Sequence, residues 1–222
     1  MKRILLSLLI VTAAARSTGQ AQSQSANRIE IFLEKYVNGA WQGVDSRLVL
    51  EQNDLVRSRV RSNFSGYLYV TNLGTSGRYE VLFPSADAGS NNRIESSKDY
   101  VVPATSQGSF RVSGPAGQEI VYWVISPSEL DQPAAPPQPA RRPPTLIPRC
   151  DDTVMRARGE CIDNSAGPKA IEDRNGLPAD VAKVPNPRSR DLVFMQKEKS
   201  SIVGSPVPLS GPAIYEFRLS HR

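Results

Sequence analysis

Histidine is nearly missing from this sequence. One residue, His221, stands among 222, with only two cysteines, Cys150 and Cys161. A structural zinc site takes four nitrogen or sulfur ligands, and this set cannot supply them. No metal and no other cofactor is expected. The cysteines also lack the Cys-x-x-Cys spacing of a redox centre. A Ser–His–Asp triad would have to use His221, one residue from the end of the sequence, where fraying is expected. No Gly-x-Ser-x-Gly nucleophile elbow is present. A paired-carboxylate glycosidase leaves no such signature, because two acids can converge from anywhere in the chain. Its mark would be two carboxylates in one cleft.

Long apolar runs are equally scarce. Residues 4–15 form the one substantial run, and it is too short for a bilayer, which needs roughly 20 residues. It follows Met1-Lys2-Arg3 and precedes Gly19-Gln20-Ala21, a small-x-small cleavage pattern, with Ala13-Ala14-Ala15 as an alternative. Positive n-region, apolar h-region and small residues together read as a signal peptide over residues 1–21. No cysteine follows the run, so a lipoprotein anchor at that site is excluded. The expectation is an exported protein, periplasmic or secreted, with no transmembrane segment.

The formal charge of +5 overstates how basic the protein is. Three of the positive charges, Lys2, Arg3 and Arg16, and no acid, fall in the leader, leaving +2. A nucleic-acid binder concentrates its basic residues on one face. Here they are dispersed, and no nucleic-acid partner is expected.

What the chain does have is strand patterning. Residues 65–84 are the best example. Tyr67, Tyr69 and Thr71 alternate with Leu68, Val70 and Asn72, the period of a pleated strand. Gly74-Thr75-Ser76-Gly77 turns the chain, residues 79–83 resume extended, and Pro84 stops the ladder. Before this hairpin, Ile29, Ile31 and Leu33 alternate with Glu30 and Glu34. Asn38-Gly39 signals a tight turn, residues 41–44 form a short strand, and residues 47–50 begin another. Residues 119–126 are apolar on both faces, which places that strand in the middle of a sheet. Residues 191–195, 201–203 and 213–219 are the late strands. The last presents Tyr215, Phe217 and Leu219 on one side and pairs back with the earlier sheet.

With 18 prolines in the chain, residues 133–148 read as a polyproline-like spacer. Residues 150–187 stay polar and loop-rich, with a short helix between 178 and 183. Cys150 and Cys161 lie close together there and read as a disulfide in an oxidising compartment. Closing so short a loop is worth roughly 2–3 kcal/mol in the chain-entropy picture. The fold class is therefore all-β, an antiparallel β-sandwich of about 8–10 short strands. Residues 28–132 form its core, residues 133–190 are a linker and stapled loop region, and residues 191–222 complete the sandwich.

Three features are candidates for a binding surface. Arg57, Arg59 and Arg61 share one face of a strand and could meet an acidic partner, anionic glycan or phosphate. The alternative is a solvated face paired across strands with acids such as Glu80. Asp87, Asn91 and Asn92 belong to an oxygen-rich loop over residues 85–98, which lacks the Asp-x-Asp-x-Asp-Gly spacing of a dedicated calcium site and reads as plain surface. Trp41, Tyr67, Tyr69 and Trp123 could form a sugar platform if exposed in a row, but such aromatics are more often core.

The motifs Gly66-Tyr67-Leu68-Tyr69-Val70, Leu82-Phe83-Pro84, Asn92-Arg93-Ile94 and Gly114-Pro115-Ala116-Gly117 occur in that order. In this the chain resembles a bacterial domain-of-unknown-function family built round a "GYLYV…LFP" core. The resemblance spans roughly residues 29–126, and residues 214–219 also fit it. Members of that family occur in exported proteins and as appendages to bacterial serine/threonine kinases and caspase-like peptidases. The resemblance implies a β-sandwich accessory domain with no catalytic residues to carry over. The leading expectation is a non-catalytic module that binds a protein or cell-envelope component. The alternatives are a carbohydrate-binding module and an exported hydrolase with an unrecognised carboxylate site.

Overall fold

A computed structural model describes residues 27–84, 91–104, 107–131, 147–172, 177, 179–185 and 187–222. The leader, nearly all of the proline-rich spacer and Asp87 lie outside the described residues. The elements in chain order are β1 (Asn27–Val37), β2 (Ala40–Val44), β3 (Leu55–Ser62), β4 (Gly66–Leu73) and β5 (Tyr79–Phe83). There follow β6 (Arg93–Ile94), β7 (Asp99–Val102), β8 (Phe110–Arg111), β9 (Gly117–Ser126), α1 (Asp152–Arg158) and β10 (Gly167–Ala170). The chain continues with α2 (Ala179–Ala182), β11 (Val193–Gln196), β12 (Ser201–Ser205) and β13 (Ala213–His221).

The strands form two antiparallel sheets. Sheet I has the order β11-β12-β1-β3-β7, with β2 also on β1 and β8 also on β3. Sheet II has the order β10-β13-β9-β4-β5, with β6 also on β4. The all-β sandwich expected from strand patterning is what forms. Among the described residues its strands outnumber the expected 8–10: the two-residue β6 is too short to show a period, and β10 carries Pro168, which reads as a break.

Inward alternation builds the core. Ile29, Ile31, Leu33 and Val60 of sheet I face Leu68, Val70, Trp123, Tyr215 and Phe217 of sheet II. The Trp123 and Tyr215 rings lie parallel within sheet II, centroids 6.2 Å apart. Phe194 of β11 meets Tyr215 edge-on at 6.1 Å, so the late hairpin of sheet I is pinned to the last strand of sheet II. Such aromatic contacts add about 0.5–1.5 kcal/mol each beyond their buried area. The β1–β2 turn uses Asn38 and Gly39, with φ of 52° and 84°, the paired left-handed geometry of a tight hairpin.

Residues 150–187 hold more structure than a loop. Asp151 caps α1, its carboxylate accepting from the Thr153 and Val154 amides, and Gly159 ends the helix. The Cys150–Cys161 disulfide brackets this helix. β10 then adds to the free side of β13. The buried Asp163 accepts from Ser220 Oγ at 2.8 Å and Gln118 Nε2 at 3.1 Å, sewing the excursion to β13 and β9. Ile171 and Val181 cover the outer face of sheet II over Tyr69, Tyr122, Val124 and Ile214. The short helix expected between residues 178 and 183 is α2.

Residues 47–50 do not form the strand expected there. Leu48 and Leu50 make single bridges, to Ile162 and to His221, so this segment ties the excursion to the end of β13.

Gly66 opens β4 at a close approach. A Cβ there would stand 2.7 Å from the carbonyl oxygen of Ser126 in β9, below any tolerated contact. Gly66→Ala is expected to cost about 1–3 kcal/mol by forcing the strands apart, read from urea unfolding. A loss under about 0.5 kcal/mol would show that β4 and β9 can separate there freely.

Candidate functional site

The arginine row is where the sequence places it, on the outer face of β3. It is not free. Arg57 Nε donates to Glu34 Oε2 at 2.7 Å, and Arg59 Nε to Glu34 Oε1 at 2.9 Å. Arg61 makes a two-pronged contact with Asp99, at 2.6 and 2.9 Å. Glu34 comes from β1 and Asp99 from β7, the two strands that flank β3. The Arg57 guanidinium also lies 4.2 Å from the Trp41 ring centre, and that of Arg59 lies 4.0 Å from Phe32, close enough for cation–π attraction. Three cations thus alternate with two carboxylates in a closed zipper. The hydrogen bond from Arg61 holds the Asp99 carboxyl below its ordinary pKa. Glu80, the expected partner, lies in the other sheet and pairs with Arg78 at 2.6 Å.

The remaining candidates are not brought together. Asn91 is exposed and accepts from the Arg93 amide. Asn92 is buried rather than a surface residue, and its carbonyl accepts from the Leu68 amide at 2.9 Å. Tyr69 and Trp123 are buried. Trp41 and Tyr67 are partly exposed but belong to different sheets, so the four aromatics form no row.

A different group converges at one end of the sandwich. In β4 the inward series Leu68, Val70 ends on Asn72. In β5 Leu82 is preceded by Glu80, in β9 Val121 by Glu119, and in β13 Leu219 is followed by His221. These four strands are neighbours in sheet II, so their inner faces turn polar at the same end. Asn72 Nδ2 donates to Glu119 Oε2 at 2.7 Å. His221 Nε2 lies 3.5 Å from Glu119 Oε1 and 3.5 Å from Thr75 Oγ1. The four line a cleft of about 290 Å³, walled on the other side by Leu50, Phe110 and Val112 and edged by Ser76, Arg78 and Arg111.

His221 is 1% exposed, not frayed. Leu50 accounts for this: its amide donates to the Ser220 carbonyl at 2.8 Å, and its carbonyl accepts from the Arg222 amide at 3.0 Å. Burial pushes the Glu119 carboxyl upward, but hydrogen bonds from His221, Asn72 and the Thr75 amide outweigh it and hold the group below its ordinary pKa. Two carboxylates do share this cleft. Glu119, however, is displaced opposite to the raised pKa that a glycosidase general acid needs. Asn72 Oδ1 and His221 Nδ1 are buried there without a partner among the described residues. The sequence does not bring these four together: Asn72 figures there only in the β4 alternation, Glu80 as a partner for the arginines and His221 as a frayed terminal histidine. Their signal was the switch from apolar to polar at the same end of four adjacent strands, visible only once the strand order is known.

A larger groove of about 610 Å³ lies on the outer face of sheet II, lined by Tyr69, Thr71, Phe83, Val124, Leu130 and Val181 among others. Its rim residues Pro84, Asp131 and Pro185 each adjoin residues outside the description.

Fold and site define a two-sheet antiparallel sandwich with a polar cleft at one end. Residues 49–129 match the family model described as a domain of unknown function, DUF4384. The match takes in Asn72, Glu80 and Glu119 of the cleft and leaves His221 outside. No curated protein and no solved structure matches the chain. Among the described residues, no helix is long and apolar enough to cross a membrane.

Two measurements check this geometry. Glu34→Gln leaves two half-buried guanidiniums short of their shared carboxylate and is expected to cost about 1–3 kcal/mol, read by chemical unfolding. Because the folded pKa of Glu119 is lowered, its contribution is complete above the unfolded value of about 4.3. That contribution is lost as pH falls through the folded value. Glu119→Gln should therefore flatten the fall of Tm below about pH 4.3; an unchanged acid limb would show that Glu119 gains nothing from its partners.

Proposed function

We propose that this chain is an exported, non-catalytic accessory module that binds a protein or cell-envelope component through the cleft at the end of the sandwich. The observation that carries the reading is the pair of buried, unpartnered polar atoms there, Asn72 Oδ1 and His221 Nδ1. An unmet buried hydrogen-bonding group costs about 1–3 kcal/mol, and a ligand offering complementary groups would recover it. The Asn72 amide is oriented by Glu119, which can only accept, so Oδ1 is the free end. Export is supported by the leader pattern of residues 1–21. The accessory role is supported by the resemblance to the "GYLYV…LFP" domains found in exported proteins and appended to kinases and caspase-like peptidases. The arginine row is a poorer candidate, because each of its guanidiniums is already held by Glu34 or Asp99.

The shared placement of Glu80 and Glu119 favours one second reading, a carboxylate hydrolase. One set of assays separates the two. The chain without residues 1–21 is immobilised and exposed to native envelope extract, beside a Ser76→Trp variant that blocks the cleft from its exposed rim. The binding reading expects a component retained by the first and lost by the second, with both giving the same circular dichroism spectrum. Equal retention by both would remove the cleft as the recognition surface. Turnover of peptide, ester or glycan substrates that disappears in Glu119→Gln would establish the hydrolase instead.

A further inference from the structure

We infer that the cleft at the end of the sandwich receives one lysine side chain of a protein partner. This rests on the reading of that cleft as the recognition surface. The groups it leaves unmet set the chemistry of what enters. Asn72 donates through Nδ2 to Glu119, so its buried, unpartnered Oδ1 is an acceptor. Glu119 can only accept. His221 Nε2, 3.5 Å from Glu119 Oε1, therefore carries the proton between them. In the neutral ring the unpartnered Nδ1 is then an acceptor too. Glu119 takes donors from Asn72, the Thr75 amide and His221, and a carboxylate has room for about four. Three adjacent strands, β4, β9 and β13, thus each bring one open acceptor. A lysine ammonium is the complement, with three donors and no acceptor.

Charge and shape agree with that choice. Despite burial, the hydrogen bonds to Glu119 hold its carboxyl below its ordinary pKa and keep it ionised. Glu80 is neutralised by Arg78, 2.6 Å away, and Arg111 donates to the Asn53 carbonyl at 3.3 Å. Both arginines edge the cleft, where they oppose a second cation, so a lone lysine suits it better than a basic run. Leu50, Phe110 and Val112 form the opposite wall. Lysine buries its four-carbon stem along such a surface while its head stays polar. A metal ion would gain nothing from that wall. The phosphoethanolamine headgroup of a lipid has only two carbons before its anion. The volume, about 290 Å³, lies just under the roughly 300–1,000 Å³ of pockets that hold whole small molecules, and it suits one inserted side chain.

His221 is the one histidine of the chain, so in tag-free protein its ring signals in NMR spectra need no assignment. Nα-acetyl-lysine methylamide, titrated into the chain without residues 1–21, is expected to shift them saturably. The Nε-acetyl form, which loses the charge, and the Nε-trimethyl form, which keeps it without donors, should each bind at least about tenfold more weakly. Asn72→Leu should weaken the lysine probe by a similar factor with an unchanged circular dichroism spectrum. No saturable shift overturns the inference. So does equal binding of the three forms, or tighter binding of the arginine analogue or of O-phosphoethanolamine. Extract whose amines have been acetylated separates this inference from the reading beneath it. Retention that Ser76→Trp abolishes but acetylation leaves intact removes the lysine and keeps the cleft. Equal retention by Ser76→Trp removes both.

Discussion

The ladder between β9 and β13 holds this molecule together. It runs from Ala213 against Ile125 to His221 against Gly117, the longest pairing in sheet II, and it lies at the middle of that sheet. β9 is buried on both faces from Val121 to Ser126, and β13 is nearly so. Neither strand could stand at an edge without exposing the rings of Trp123 or Phe217. The last strand must therefore cross back over the proline-rich spacer and the disulfide-bearing excursion before sheet II is complete. Such non-local pairing carries a loop-closure cost that is met before its contacts form. The excursion recovers part of it, because Asp163 bonds both Gln118 and Ser220, one from each strand of the ladder.

The same ladder makes the cleft. Glu119 opens the inner series of β9 and His221 closes that of β13, so the antiparallel register places both at one end of the sandwich. β4 and β5 repeat the switch with Asn72 and Glu80. A sandwich end is where the core gives way to solvent, and polar residues there are ordinary. Of the seven buried side-chain polar atoms without a partner among the described residues, two, Asn72 Oδ1 and His221 Nδ1, face this one cleft, where burial would ordinarily remove or pair them. Leu50, Phe110 and Val112 form the apolar wall of this cleft, and an apolar wall raises what a ligand gains by meeting such groups.

Much of the fold was legible in the sequence because pleated alternation is local. The period-two series in β1, β3, β4, β9 and β13 identified them, and Asn38-Gly39 gave the turn. The two-residue β6 carried no period. β10 contains Pro168, which reads as a break, yet a proline is tolerated on an edge strand whose amide faces outward. α1 has no buried residue, so no apolar stripe announced it; its cap at Asp151 and its stop at Gly159 were its only marks. The arginine row was legible as a row but not as a zipper. Glu34 looked like an ordinary outward acid of β1 until register set it against Arg57. The cleft was not legible, since Asn72, Glu80 and Glu119 are unremarkable in their own strands, and His221, though the one histidine of the sequence, acquires neighbours only from the order of the sheet.

That order bears on how the matched region is understood. Residues 49–129 take in β3 through β9, which include the hairpin of β4 and β5 and the central β9. They omit β1, the neighbour that supplies Glu34 to the arginines, and β13, which covers the far side of β9. Cut at those limits, β9 would become an edge strand with unpaired backbone and an uncovered apolar surface, a template for aggregation rather than a stable end. Sheet I would lose its middle, because β1 joins β12 to β3. The matched stretch is thus a portion of one sandwich, and its partners for closure come in this chain from before and after it. His221 belongs to that contributed part. The cleft exists only where the late strand has docked, so any recognition through it reports a fully assembled sandwich.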